Sequence, residues 1–209
     1  MIEQGSGEWL RERCGKVTAS RIADIVAKTK NGPSASRGNY MAQLIAERLT
    51  GSVSESYVSP AMEHGTATED EAVAAYEFYS GLMVERVGFV PHPTIAMTGA
   101  SPDRLVAAAG LVEVKCPNTA THIETLLGRS VPGKYVHQMQ WQMACTEREW
   151  CDFVSYDPRL PEELRLFVKR VERDGFAIVE LQAAVKDFLA DLDTRLAMLR
   201  EFGRMERAA

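Results

Sequence analysis

Hydrophobic residues recur at helical spacing in several stretches of the chain, with polar residues between them. These patterns predict helices over 21–28, 39–51, 59–81, 118–128, 132–147 and 176–203. Helix breakers support these bounds, because Pro60 lies near the start of the third helix and Gly51 and Gly81 follow the ends of the second and third. The last helix is long and amphipathic.

Short β-branched stretches bounded by Pro or Gly predict the strands. They cover 82–90, 94–99, 101–107 and 110–117, and two further strands are expected over 149–157 and 164–172. The sequence therefore predicts an α/β fold, in which a central mixed β-sheet is flanked by helices. The chain is long enough for one ordinary globular domain, and we expect a single domain over residues 1–209.

One stretch carries neither pattern. Residues 28–39 are rich in Gly, Ser, Asn and Lys and lack an apolar period, which predicts a mobile surface loop. Three basic residues, Lys28, Lys30 and Arg37, lie in it.

Composition narrows the class of protein. The formal net charge is −5, which argues against a polycation that wraps nucleic acid but permits a local basic site. Charged residues interrupt the N-terminus where a secretory signal needs an apolar run, and no run reaches the roughly 18 apolar residues of a membrane span. The four cysteines show no metal-ligand spacing. These features predict a cytoplasmic protein with reduced thiols.

The stretch 101–117, SPDRLVAAAGLVEVKCP, predicts a β-hairpin with three charged residues among apolar ones. Residues two apart in a strand share a face, so Glu113 and Lys115 lie side by side while Val114 faces away. Asp103 on the first strand is expected to face them. A surface ion pair is the plain alternative. The apolar surroundings favour burial, and buried charges need a metal or a partner.

Two carboxylates beside one ammonium suit a particular chemistry. Carboxylate oxygens are ligands for Mg²⁺ or Mn²⁺, and such an ion keeps several waters and binds substrate phosphate. The ion polarises a phosphodiester and lowers the pKa of a bound water, while a lysine orients or deprotonates that water. The hairpin therefore indicates metal-dependent phosphodiester hydrolysis.

These motifs resemble the nuclease core written PD-(D/E)xK, through Pro102-Asp103 and Glu113-Val114-Lys115. More specifically, the chain resembles the phage lambda-type exonucleases, also grouped as YqaJ-like viral recombinases. The quoted motifs run in order from EQGSGEWLRERCGKVTASRIADIVA through HGTATEDEA, GASPDRL and VEVKCP to HQMQW and SYDPRL. The resemblance covers most of the chain and implies a restriction-endonuclease-like fold.

The resemblance implies an activity and partners. A Mg²⁺-dependent exonuclease of this type enters a double-stranded DNA end and digests the 5′-ended strand, which leaves a 3′ single-stranded tail. A single-strand annealing protein takes up that tail, and the enzyme is a homotrimeric ring. The resemblance also implies phage or prophage origin and the cytoplasm of a bacterial host.

The resemblance also assigns the catalytic residues. Asp103, Glu113 and the Val114 carbonyl are expected to bind the metal, and Lys115 to position or activate water. Glu69 is expected to serve a second metal ion, although without the resemblance it reads as a surface glutamate. Gln138 is expected to hold the nucleophilic water or a phosphate oxygen. Family members often carry a tyrosine shortly after this glutamine, whereas this chain has Trp141 nearby.

A pocket for the terminal 5′ phosphate is implied by Arg13, Ser20 and Ser101, because a guanidinium and hydroxyls suit a phosphate dianion. The alternative for Arg13 is an ion pair with Glu8 or Glu12. Lys30 is a further candidate contact, from the loop 28–39.

Two kinds of apolar residue have plainer interpretations. Met62 lies where an apolar side chain could wedge apart the terminal base pair, but its helical spacing favours a core methionine, and it is not a predicted site residue. Trp9, Trp141 and Trp150 are expected in the core.

Two other functions compete with the exonuclease. The same core in a sequence-specific endonuclease would need more chain for base readout, and none is evident. A non-catalytic protein that binds DNA ends is the third possibility, against which the intact catalytic set argues.

Overall fold

The computed structural model describes residues 2–30, 32–53 and 60–208, with the backbone alone for 60–66 and 207–208. The α-helices are α1 (Gly7–Arg13), α2 (Ile22–Val26), α3 (Ala35–Thr50), α4 (Pro60–Ser80), α5 (Thr119–Gly128), α6 (Gly133–Thr146) and α7 (Gly175–Ala208). Single 3₁₀ turns cover Ala19–Arg21 and Glu162–Leu164. The strands are β1 (Val17–Thr18), β2 (Lys28–Thr29), β3 (Gly32–Pro33), β4 (Val84–Glu85), β5 (Val90–Pro91), β6 (Thr98–Ala100), β7 (Arg104–Val106), β8 (Gly110–Lys115), β9 (Trp150–Tyr156) and β10 (Leu166–Glu172).

A five-stranded mixed sheet in the order β10-β9-β8-β7-β4 forms the centre of the fold. Its β8–β9 pair is parallel and its other pairs are antiparallel. The predicted mixed sheet flanked by helices and the long last helix are thus confirmed. The predicted strand 94–99 belongs instead to a separate three-stranded sheet, β1-β6-β5.

Helices cover both faces of the central sheet. Val112 and Val114 of β8 pack with Tyr76 of α4 on one face. Leu111 packs with Met139 of α6 on the other face. Because side chains alternate along a strand, Glu113 points to the α6 face. This alternation places the first half of α6 next to the charged end of β8.

A third apolar cluster lies away from the central sheet. It joins α2, α3, α6 and α7, with Tyr40 stacked on Phe188 at 5.6 Å between ring centroids and Trp141 fully buried. This cluster holds the 3₁₀ turn Ala19–Arg21 against α6, since Ala19 and Ile22 belong to it. The N-terminal segment is thereby fixed close to the hairpin of β7 and β8.

The prediction of a loop over 28–39 is wrong. Residues Lys28–Thr29 and Gly32–Pro33 form a small antiparallel ladder, and α3 begins at Ala35. The helix starts four residues before the predicted position. The prediction missed this first turn because it is polar, and the apolar periodicity begins only at Tyr40, the first buried residue of the helix.

Candidate active site

The hairpin of β7 and β8 positions the first carboxylate. Arg104 pairs with Val112 and Val106 with Gly110, as the sequence predicts. Asp103 lies just before β7, and its Oδ2 accepts a hydrogen bond from the Val114 backbone N–H at 2.7 Å. This contact fixes the Asp103 carboxylate beside the end of β8.

Glu113 is fully buried, and every polar contact of its carboxylate comes from a donor. Its Oε1 accepts a hydrogen bond from Gln138 Nε2 at 2.6 Å and forms an ion pair with the Lys115 ammonium. Its Oε2 accepts a hydrogen bond from Gln142 Nε2 at 2.5 Å. Glu113 and Lys115 lie together as the strand pattern predicts, and Gln138, which the resemblance assigns to water or a phosphate oxygen, instead donates to Glu113. Gln142 is an additional contact of this carboxylate.

The charges of this group shift its protonation equilibria. Burial, together with the negative charges of Glu113 and Glu69, raises the pKa of Asp103 from 3.8 to about 8. Burial would lower the pKa of Lys115, but the charges of Glu113 and Asp103 outweigh it and raise that pKa above its ordinary value. The site therefore holds Lys115 as an ammonium and disfavours the charged form of Asp103, which a bound divalent cation would stabilise.

Glu69 lies on α4 and reaches towards the same region. Its Oε1 accepts a hydrogen bond from Arg104 Nη1 at 2.8 Å, and Arg104 Nη2 contacts Asp70 Oδ1 at 3.0 Å. The Arg104 side chain is only 8% exposed. Glu69 is thus close enough to raise the pKa of Asp103, but its carboxylate is paired with an arginine.

The donor set is small. Within 2–30, 32–53 and 60–208, no group of three His, Cys, Asp or Glu side chains is arranged to hold a metal ion. The candidate ligands are two carboxylates, Asp103 and Glu113, with the main-chain carbonyl of Val114. Their chemistry fits a hard cation that completes its shell with water and phosphate oxygens. The residues are consistent with one such ion, and Glu69 would have to leave Arg104 to serve a second.

Arg13 lies at the end of α1 and stacks on Trp9, with the guanidinium carbon 3.8 Å from the ring centroid. None of the ion pairs formed within the described part of the chain includes Arg13, so pairing with Glu8 or Glu12 does not occur there. Its Nε is buried, and no residue in the described ranges forms a hydrogen bond with it. Burial lowers the pKa of Arg13. An anion would satisfy this side chain.

Trp9 also contacts Ser101, which precedes Pro102 in the sequence. Its Nε1 donates a hydrogen bond to Ser101 Oγ at 3.0 Å. The prediction that Trp9 is a core residue is wrong, because its ring is half-buried and lines a cavity. Trp141 is fully buried as expected, and Trp150 is half-buried beneath Arg170.

A single cavity of about 220 Å³ brings the two predicted groups together. Its lining includes Asp103, Glu113, Lys115, Gln138, Arg13, Ser20 and Ser101. Ser20 is exposed on the 3₁₀ turn, with its hydroxyl 3.4 Å from that of Thr18. The residues expected to bind phosphate and the candidate metal-binding carboxylates therefore line one concave site.

Three of the predicted site residues, Glu69, Val114 and Lys30, do not line this cavity. Lys30 is exposed in the turn between β2 and β3 and does not line the cavity. The Met62 side chain lies outside the described part of the chain.

Sequence reasoning missed Arg104, Gln142 and the role of Trp9. Gln142 had a signal, because it lies one helical turn after Gln138 and therefore on the same face of α6. Arg104 and Trp9 had no local signal, since their partners are distant in the sequence.

The chain is similar to known nucleases. The model of the YqaJ-like viral recombinase domain matches residues 8–149. An alkaline exonuclease (LHK-Exo) from Laribacter hongkongensis is 48% identical with a TM-score of 0.90, over 98% of this chain and 100% of that one. The structure of LHK-Exo in complex with dAMP gives the same identity and coverage and a TM-score of 0.91.

A phage-related exonuclease from Haemophilus somnus 129PT shares the fold. It is 15% identical with a TM-score of 0.72, over 88% of this chain and 96% of that one. Comparison with curated proteins gives no match. No helix in the described ranges has the length and apolar character needed to cross a bilayer.

Proposed function

The chain belongs to the YqaJ-like viral recombinase family, and we propose that it is a metal-dependent 5′-to-3′ exonuclease acting on linear double-stranded DNA. Exonuclease activity is supported by the similarity to LHK-Exo over nearly the whole chain. We further propose the direction of digestion, the duplex substrate and the metal requirement, for which the geometry of the site is the support. The product would be a 3′ single-stranded tail for recombination by strand annealing.

The shared cavity is the observation that carries the proposal. Arg13, Ser20 and Ser101 offer a guanidinium and two hydroxyls, and Asp103 with Lys115 lies in the same cavity of about 220 Å³. A terminal phosphate bound by Arg13 and the two serines would place the next phosphodiester towards Asp103 and Lys115. That arrangement favours release of one nucleotide from a 5′ end. The dAMP complex of LHK-Exo is consistent with a site of nucleotide size.

Asp103, Glu113 and the Val114 carbonyl would hold Mg²⁺, for which Mn²⁺ would substitute, and Glu69 would contribute to a second ion. When bound, the metal polarises the scissile phosphate and lowers the pKa of a water. The raised pKa of Asp103 supports the fit, because burial and the neighbouring carboxylates disfavour its charged form, and a divalent cation would stabilise that form.

Lys115 contributes charge and orientation. Its raised pKa keeps it protonated, so it acts as a fixed cation that stabilises the negative charge of the transition state and orients water. Proton abstraction by Lys115 is disfavoured while Glu113 holds it. Gln138 donates its amide N–H to Glu113 at 2.6 Å and lines the cavity, where its carbonyl oxygen could accept from water.

Arg13 and the serines would bind the terminal phosphate. Among the residues that the structure describes, Arg13 forms no ion pair and its Nε has no hydrogen-bond partner, so an anion could bind there without displacing one of them. The Trp9 ring lies against the Arg13 guanidinium, 3.8 Å from its carbon, and the guanidinium N–H groups would donate to phosphate oxygens. A 5′-hydroxyl end would lose these charged contacts.

Family membership also carries proposals about the setting. We infer a homotrimeric ring, a single-strand annealing protein as partner, phage or prophage origin and the cytoplasm of a bacterial host. In a ring, acidic outer surfaces are compatible with DNA binding, because basic residues need line only the channel.

A topology assay tests the function. Linear and covalently closed duplex of the same sequence are incubated with the wild type and with Lys115→Ala, in Mg²⁺ and in EDTA. The proposal predicts digestion of the linear form alone, which EDTA and the substitution abolish. Equal cutting of closed circles would favour an endonuclease, and binding of ends without cutting would favour a non-catalytic protein.

A further inference from the structure

We propose that Gln142 is a positioning residue that orients Glu113 for metal binding, an inference that rests on the proposed function. Gln142 lies outside the cavity lining and reaches only the buried side of the carboxylate. It would therefore act through Glu113 and not by contact with DNA.

Gln138 and Gln142 donate hydrogen bonds to different carboxylate oxygens of Glu113. They lie four residues apart on α6, so their side chains project from one face of the helix. Gln138 Nε2 donates to Oε1 at 2.6 Å and Gln142 Nε2 donates to Oε2 at 2.5 Å. Two donors on two oxygens fix both the position of the carboxylate and its rotation about the terminal torsion, which is otherwise broad.

Burial makes this contact costly to lose. Glu113 and Gln142 are both 0% exposed, so water cannot replace the amide if it is removed. The Gln142 carbonyl oxygen has the Cys151 thiol as its neighbour, at 3.9 Å. A carboxylate accepts hydrogen bonds only, and this fixes the amide with its nitrogen towards Glu113.

The consequence concerns the metal. Groups that hydrogen-bond to metal ligands set their orientation, and their loss typically lowers metal affinity by about 10- to 100-fold. Without Gln142, Glu113 would keep Gln138 and Lys115 on Oε1, and no other residue in the described part of the chain would donate to Oε2. The carboxylate would then rotate about that anchor and lose the orientation that faces the cavity.

Metal binding to the DNA-free protein tests the inference. The variant Gln142→Met is close to the glutamine in size and removes the donor. The matched control is Gln140→Met on the same helix, because Gln140 is 3% exposed and bonds Glu172 O at 2.8 Å and Asp174 N at 2.9 Å. Titration calorimetry with Mn²⁺ gives the Kd, and the Mg²⁺ concentration for half-maximal digestion gives a second readout.

Gln142→Met is expected to raise the Mn²⁺ Kd and the half-maximal Mg²⁺ concentration by about tenfold or more. Gln140→Met is expected to lower Tm and leave both metal readouts unchanged. If Gln142→Met fails to fold, Gln142→Asn serves instead, since its amide is one methylene too short to reach Oε2. The expected increase in the Mn²⁺ Kd is about tenfold or more, so a Kd within about twofold of the wild-type value in either folded Gln142 variant would overturn the inference. If the wild type did not bind Mn²⁺, the proposed metal-dependent function itself would be contradicted.

Discussion

The indole N–H of Trp9 donates a hydrogen bond to the Ser101 hydroxyl at 3.0 Å, across 92 residues of sequence. The same ring lies under the Arg13 guanidinium, 3.8 Å from its carbon. One side chain thus connects the first helix to the residue before Pro102 and Asp103, the second of which is proposed to bind the metal. Two of the three groups proposed to bind the 5′ phosphate depend on it.

Substitution of Trp9 should weaken the preference for a 5′-phosphorylated end. Trp9→Phe keeps a ring under Arg13 but removes the donor to Ser101, and a neutral hydrogen bond contributes about 0.5–1.5 kcal/mol. We expect the kcat/KM ratio of phosphorylated to unphosphorylated ends to fall by about 2- to 10-fold. Trp150→Phe, outside the cavity, is the control and should leave the ratio unchanged. An unaltered ratio in Trp9→Phe would show that Ser101 needs no such support.

Arg13→Ala should remove most of the end preference. Hydrogen bonds to charged groups contribute about 1.5–3 kcal/mol, so the rate on 5′-phosphorylated ends should fall by about 10- to 100-fold. The rate on 5′-hydroxyl ends should change little. The control is Arg11→Ala, an exposed arginine of the same helix. Equal losses on both ends would assign Arg13 to general DNA binding.

The metal-free protein should lose stability as the pH rises. The pKa of Asp103 is raised from 3.8 to about 8 in the folded chain, so its contribution is fully present below pH 3.8 and is lost as the pH rises through about 8. A metal ion competes with this proton, so Mg²⁺ should raise Tm more at about pH 9 than at about pH 6. Thermal unfolding at both pH values, with and without Mg²⁺, measures the difference. Asp103→Asn should abolish it, and a pH-independent Mg²⁺ effect would contradict the assignment.

Gly110→Ala should destabilise the sheet. A Cβ at Gly110 would lie 2.2 Å from the Cη2 and Cζ2 atoms of Trp150, whose ring also stacks with Arg170 at 3.5 Å. The ring has little room to move, so we expect a loss of about 1–3 kcal/mol in the free energy of unfolding. Urea denaturation measures it. Gly133→Ala is the control, because a Cβ there meets nothing within 4 Å and should leave stability unchanged or slightly higher.

The hairpin of β7 and β8 could be predicted because the sequence patterns that define it are local. Alternation along β8 assigns Glu113 and Lys115 to one face, and the Ala-rich turn sets the pairing of β7 with β8. Helical spacing places Gln138 on α6. The resemblance to a family was needed to connect Gln138 with that hairpin, since nothing local relates them.

The contacts that complete the site were not predictable from local pattern. Arg104 meets Glu69 35 residues away, and Gln142 meets Glu113 29 residues away. Such pairs depend on how α4 and α6 pack on the sheet. The first turn of α3 was missed for another reason, because its residues are polar and its hydroxyl and glycine content is typical of loops.

The most direct test of the account is strand-resolved digestion of a linear duplex that carries a 5′ phosphate on one strand and 5′ hydroxyl on the other. Each strand is labelled at its 3′ end, and wild type is compared with Lys115→Ala in Mg²⁺. We predict that wild type shortens the phosphorylated strand from its 5′ end while the other strand persists, and that Lys115→Ala binds the end without digestion. Equal loss of both strands, or shortening from the 3′ ends, would contradict the coupling of phosphate recognition to hydrolysis in one cavity.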